Sequence, residues 1–141
     1  DPEELFVAGL IHDIGKLVLV TSMQEQYLEA TILAHDKNIT LCQAECQLLT
    51  ATHGDVGGYL LGLWGLSGSA VEAAAFHHRL DHYPSPSFCP ALVVHAADVI
   101  YYTLHPEQQY GEPMVNMAYL EKAGVHHRFD HWLALCSELN L

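Results

Sequence analysis

The chain has 141 residues and a mass of 15.6 kDa, half of them hydrophobic and 16% charged. That suits one folded domain and excludes a disordered chain. Five Lys and Arg against seventeen Asp and Glu leave a net charge of −12, too few cations for a patch that grips a nucleic-acid backbone or an anionic membrane.

The hydrophobic spacing predicts helices throughout. Asp1 as N-cap, Pro2 at the first position and Glu3-Glu4 in the first turn open a helix that runs to about Val18. Ser22 is expected to cap a second helix that ends near Asn38. Thr40 with Gln43 forms a capping box before Leu41, Ala44, Leu48 and Leu49. Thr52 with Asp55 caps the next, which carries Val56, Leu60, Leu63 and Trp64. Gly57 and Gly58 inside it imply close contact with another helix. Ser69 with Glu72 is read as a further capping box, for a helix reaching Leu80.

Residues 81–90 hold three prolines and read as a loop. An apolar helix follows over 91–104, then a loop over 105–115. Asn116 caps a short helix that stops at Gly124, and a last amphipathic helix carries Phe129, Trp132, Leu133, Leu135 and Leu139. The expectation is an all-α fold of eight helices, undivided by any long linker.

Cys42, Cys46, Cys89 and Cys136 form no C-x-x-C motif and are expected to be reduced, mostly buried thiols. No basic segment followed by an apolar one opens the chain, and no apolar run of about 18 residues is evident. Neither a signal peptide nor a membrane span is therefore expected, and the location is expected to be cytoplasmic. The chain begins Asp1-Pro2 rather than with Met and reads as an excerpt of a longer protein.

Eleven histidines are an excess that needs a reason, because histidine is the commonest metal ligand. His12-Asp13 lies in the first helix among apolar neighbours, with Lys16 one turn on. A His and a carboxylate suit a metal ion; a lysine there suits a phosphate. His53 follows the Thr52 cap at a helix N-terminus, where it is a ligand or a capping residue. His77-His78 end a helix, as ligands or as complements to its dipole. Asp98 sits in so apolar a helix that it needs a partner: a metal, a base or a hydrogen-bond network. His95, one turn earlier, is a candidate. His127 and His131 are spaced as one further possible pair; with His35, His105 and His126 they read more simply as surface residues.

The order H-D, H, H-H, D resembles the HD superfamily of metal-dependent phosphohydrolases, and within it the HDOD family, HD-related output domains of bacterial signalling proteins. The residues that carry the likeness run from Phe6-Val-Ala-Gly-Leu-Ile-His-Asp-Ile-Gly-Lys16 through Glu45, His53-Gly54, Val56-Gly57-Gly58-Tyr59 and Trp64-Gly-Leu to His77-His78 and Ala97-Asp98. The likeness spans residues 3–104, with a closing helix pair over 116–139. It implies a multi-helix HD-superfamily bundle, with residues 1–141 forming an HDOD domain that lacks its N-terminal helices.

The resemblance also implies a site. His12, Asp13 and Asp98 look like one metal's ligands, and a bridging Asp13 with His53, His77 and His78 like a second's. The implied ion is a divalent transition metal, Fe, Mn or Zn. Asp13 and Lys16 would be the catalytic residues, Lys16 stabilising charge on a phosphoryl group.

Departures from the active members point away from turnover. Such enzymes take a further ligand His from a helix upstream of the H-D pair, and this chain starts at that pair. Relatives that cleave cyclic di-GMP continue H-H-E and then G-Y-P. This chain reads His77-His78-Arg79-Leu80-Asp81-His82-Tyr83-Pro84, with a cation, Arg79, expected to oppose a second metal. The expected function is a signal-transduction output or interaction module with receiver, GGDEF or EAL partners and a nucleotide as a possible ligand. The alternative is a metal-dependent phosphohydrolase acting on a nucleotide or cyclic dinucleotide.

Overall fold

The computed structural model describes residues 1–108 and 110–139. Among them stand nine α-helices, short 3-10 turns and no strand, so the all-α expectation holds with one helix added. The addition comes from a break. The expected helix from Asp1 to Val18 is two: α1 (Pro2–Ile11) and α2 (Ile14–Ser22), with His12 and Asp13 in the turn between them.

The reason lies in what each half packs on. α1 lies against α6 (Gly68–Phe76) and α7 (Pro90–Leu104), whereas α2 lies against α5 (His53–Leu63). One straight rod cannot meet both. The closest approach is at Gly15, where an added Cβ would collide with the backbone carbonyl oxygen of His53. Similarly, a Cβ on Gly58 would lie 2.8 Å from that of Ala75, so α5 and α6 touch nearly backbone to backbone, as the glycine pair implied.

Two expected caps are displaced. Ser22 ends α2, and α3 (Gln24–Lys37) follows Met23 with no side-chain cap. α6 is capped by Ser67, not Ser69; the Ser69 hydroxyl instead donates to Glu4 Oε2 at 2.8 Å, tying α6 to α1. α6 also stops at Phe76, and Leu80 falls in a 3-10 turn (Leu80–His82). The capping boxes Thr40–Gln43 and Thr52–Asp55 are both present, at the starts of α4 (Leu41–Leu48) and α5. Asn116 caps α8 (Met117–Lys122), and α9 (Phe129–Glu138) closes the described chain.

The main core joins α7 to the last two helices through Leu80, Leu92, Ile100, Leu120 and Phe129. A smaller one, Leu61, Ala70 and Ala74, joins α5 to α6. The four cysteines are free; Cys42 and Cys89 are buried, whereas Cys46 is exposed.

By length and composition alone, the stretch Pro2–Ser22 is apolar enough to cross a membrane, with a mean hydropathy of 1.6, which the sequence reading did not single out. Phe6, Leu10 and Leu17 on it are exposed. The turn at its middle carries His12 and Asp13, whose polar side chains point into the cluster described next.

Candidate metal centre

Four segments deliver the site. The α1–α2 turn brings His12 and Asp13, the first residue of α5 brings His53, the end of α6 brings His77 and His78, and the middle of α7 brings Asp98. The break after Ile11 is what turns Asp13 toward α5 and α6.

One ligand atom each from Asp13, His53, His77 and His78 lie within 4.8 Å of one another. Asp13 uses its two oxygens in different directions. Oδ1 is 3.4 Å from His53 Nε2 and 3.7 Å from His77 Nε2. Oδ2 is 3.4 Å from His12 Nε2 and 2.6 Å from Lys16 Nζ. Asp98 stands 3.9 Å from both His12 Nε2 and His78 Nδ1. All six expected ligand residues are therefore neighbours, with Asp13 between a His53/His77/His78 group and a His12/Asp98 group.

The ring orientations are fixed from behind. His12 Nδ1 donates to the Gly9 carbonyl at 2.7 Å, and His77 Nδ1 to the Ala73 and Ala74 carbonyls at 2.9 and 3.0 Å. A nitrogen facing a carbonyl oxygen must carry a proton, so in the neutral ring Nε2 is the atom that presents a lone pair. His53 Nδ1 faces Glu45 Oε2 at 2.6 Å, with the same result. The Nε2 atoms of His12, His53 and His77, and Asp13 Oδ1, are buried with no hydrogen-bond partner.

Buried polar atoms are ordinarily paired. Here four orphans converge, and all are electron-pair donors. Two ligands about 2.1 Å from a tetrahedral ion stand about 3.4 Å apart, the His53–Asp13 spacing. The donor set, nitrogen with one carboxylate, suits a transition metal. The cluster can hold such an ion.

Electrostatics agree. Burial, and then the neighbouring His12 and His53, push His77 down to about 3, so its ring is neutral at ordinary pH. Burial and then His77 lower His78 well below the usual histidine range. For Asp13, burial opposes the charge, but Lys16, His12 and His53 outweigh it and hold the carboxyl low. Asp98 goes the other way, raised chiefly by burial.

Lys16 is already engaged: its ammonium is bonded to Asp13. Two expectations change. Arg79 does not oppose the cluster with a bare charge, because its guanidinium pairs with Asp55, the capping residue of α5. His95 does not support Asp98. Its Nδ1 donates to the His77 carbonyl at 2.6 Å and its Nε2 accepts from the Asn116 backbone at 3.0 Å. His35, His126, His127 and His131 are exposed and stand outside the cluster.

Glu45 is the site residue that sequence reasoning left without a role. Its signal was its place on α4, on the face that Cys42 and Ala44 bury.

Two cavities border the cluster. One, of about 480 Å³, is lined by Cys42, Gln43, His78, Arg79 and Asp98. The other, of about 450 Å³, is walled by Val94, Ala97, Tyr101 and Tyr102 and reaches His12, Asp13 and Asp98. Asp98 faces both.

The sequence profile of the HDOD domain matches residues 1–80. An HDOD domain protein of unknown function from Geobacter sulfurreducens, known from a crystal structure, superimposes with a TM-score of 0.70 and 28% identity, over 89% of this chain and 43% of that one. An uncharacterized protein of Treponema pallidum (strain Nichols) is 25% identical over 79 residues, which are 56% of this chain and 15% of that protein. The chain thus spans less than half the length of either relative. Profile and fold agree: the chain belongs to the HDOD family.

Proposed function

We propose that this chain is a metal-holding output module of bacterial signal transduction that does not turn over phosphoesters efficiently. Asp13, His53, His77 and His78 hold a divalent transition metal, Fe, Mn or Zn, with His12 and Asp98 beside them. When bound, such an ion would supply Lewis acidity and a polarised water.

One observation carries the non-catalytic reading. Both cations near the cluster are taken up by carboxylates, Lys16 by Asp13 and Arg79 by Asp55. Phosphoryl transfer rests on cations free to meet the charge on the transferred group. A net charge of −12 further disfavours a free anionic nucleotide. The module then acts through contacts with receiver, GGDEF or EAL type domains in a cytoplasmic regulator.

A second reading has its own support. Asp98 borders two cavities, so a substrate straddling the cluster has room on both sides. That favours a phosphohydrolase of a nucleotide or cyclic dinucleotide, with Asp13 and Lys16 as its catalytic pair.

The deciding experiment loads the protein with Mn²⁺, Fe²⁺ or Zn²⁺ under anaerobic conditions and follows cyclic di-GMP and bis(p-nitrophenyl) phosphate. Metal uptake without sustained hydrolysis is expected. Many turnovers, lost in Asp13→Asn, would establish the second reading instead.

A further inference from the structure

We propose that Glu45 is a positioning residue of the metal centre, fixing His53 in the tautomer and ring orientation that aim Nε2 at Asp13; the proposal rests on the metal-holding reading above. Glu45 Oε2 accepts two hydrogen bonds from one residue, 2.9 Å from the His53 backbone nitrogen and 2.6 Å from His53 Nδ1. Both side chains are 0% exposed. The carboxylate thus holds the ring and the start of α5 together.

Its cost makes a purely structural role a poor account. A buried carboxylate loses its hydration, and only hydrogen bonds or opposite charge repay it. Oε2 is satisfied, yet Oε1 is buried with no partner. α4 packs chiefly on α3. An apolar residue at this place would give α4 the same contact without an orphaned oxygen, but would leave the His53 backbone N–H and ring nitrogen unpaired.

What Glu45 does that an apolar residue cannot is accept from the His53 backbone and, with the same oxygen, hold a proton on His53 Nδ1. That leaves Nε2 as a bare donor 3.4 Å from Asp13 Oδ1. It also makes the ring a stronger electron-pair donor, as a carboxylate behind a ligating histidine does. His12 and His77 are backed only by neutral carbonyls. His53 is therefore the strongest of the three donors.

The test uses two measurements on the 141-residue chain. Long-range ¹H–¹⁵N correlation of the histidine rings in metal-free protein reads the tautomer directly. His53 is expected to carry its proton on Nδ1, at a low-field position set by the charged acceptor. In Glu45→Gln the proton stays on Nδ1 but moves upfield, because a neutral carbonyl replaces the carboxylate. Calorimetric titration with Zn²⁺ reads the effect on the site. Glu45→Ala is expected to bind about ten- to a hundredfold more weakly than the parent, and Glu45→Gln in between.

A parent His53 with no proton on Nδ1 overturns the proposal, as does Glu45→Gln with an unmoved resonance. Equal Zn²⁺ affinity in parent and Glu45→Ala overturns it as well. Should the parent take up no Zn²⁺, the metal-holding reading fails, and the tautomer measurement still decides the role of Glu45. Should Glu45→Ala fail to fold, the Glu45→Gln resonance and affinity decide it.

Discussion

Lys16 Nζ donates to Asp13 Oδ2 at 2.6 Å, which leaves Oδ1 alone to face His53 and His77. One carboxylate is thereby divided between an ammonium and a set of histidine donors. Burial lowers the Lys16 pKa, but the Asp13 charge outweighs it and holds the ammonium protonated.

Replacing Lys16 separates its two candidate roles. A cation bonded to a ligand repels an incoming divalent metal, by about 1–2 kcal/mol even when screened as in water and by more in a partly buried site. Lys16→Gln is expected to bind Mn²⁺ or Zn²⁺ about tenfold more tightly by calorimetry. An unchanged metal affinity together with a collapse of phosphoester turnover would assign Lys16 to a substrate instead.

Gly15 tests the helix break. A methyl group there meets the His53 carbonyl, so α2 must draw back from α5. Gly15→Ala is expected to lose about 1–3 kcal/mol in urea unfolding, the usual cost of overpacking, and to weaken metal binding because Asp13 moves with α2. A variant as stable as the parent would show that the close approach is not required.

Much of this was legible from the residues. The turn chemistry of Thr40, Thr52 and Asn116 is local, and those helix starts stand where the sequence put them. The break at His12–Asp13 was not legible, because Leu10, Ile11, Ile14 and Leu17 keep a helical period across it. What bends the chain is packing of its two halves on different helices. The partners of Arg79 and His95 were hidden for a like reason, whereas that of Lys16 is local, three residues away. Periodicity places a side chain on a face, but the competitor for its charge arrives from elsewhere in the fold, as Asp55 does for Arg79, 24 residues away. The buried Glu45 was visible as a carboxylate on an apolar face, and only the arrival of His53 gave it a role.

Arg79 should matter to stability rather than to the metal. It pairs with Asp55, whose carboxyl is held low because the hydrogen bonds from Thr52 and Arg79 outweigh burial. Both side chains are partly exposed, so screening limits the pair to about 0.5–1 kcal/mol. Arg79→Gln is expected to lose about that much in urea unfolding and to leave metal stoichiometry unchanged. A variant that takes up an additional metal ion would restore Arg79 as an electrostatic block.

Acid should destabilise the metal-free protein over a defined window. His77 titrates near 3 when folded, because it is buried and beside His12 and His53, but near 6.5 in an unfolded chain. Between those values the unfolded chain binds a proton that the folded one refuses, so stability falls as pH falls. His78 and His95, also lowered by burial, act in the same direction. Asp98, raised by burial, acts oppositely, gaining stability as it protonates. The melting temperature is expected to fall steadily from about pH 6.5 downward, and less steeply in His77→Gln. Parallel curves for the two proteins would remove His77 as a cause.

The most direct test of the metal centre is elemental analysis of anaerobically purified protein, parent and His53→Ala side by side. The parent is expected to carry bound Fe, Mn or Zn in stoichiometric amount, and His53→Ala to carry little while keeping its helical circular dichroism. A folded parent that holds no transition metal, even after incubation with excess Mn²⁺, Fe²⁺ and Zn²⁺, would contradict the account.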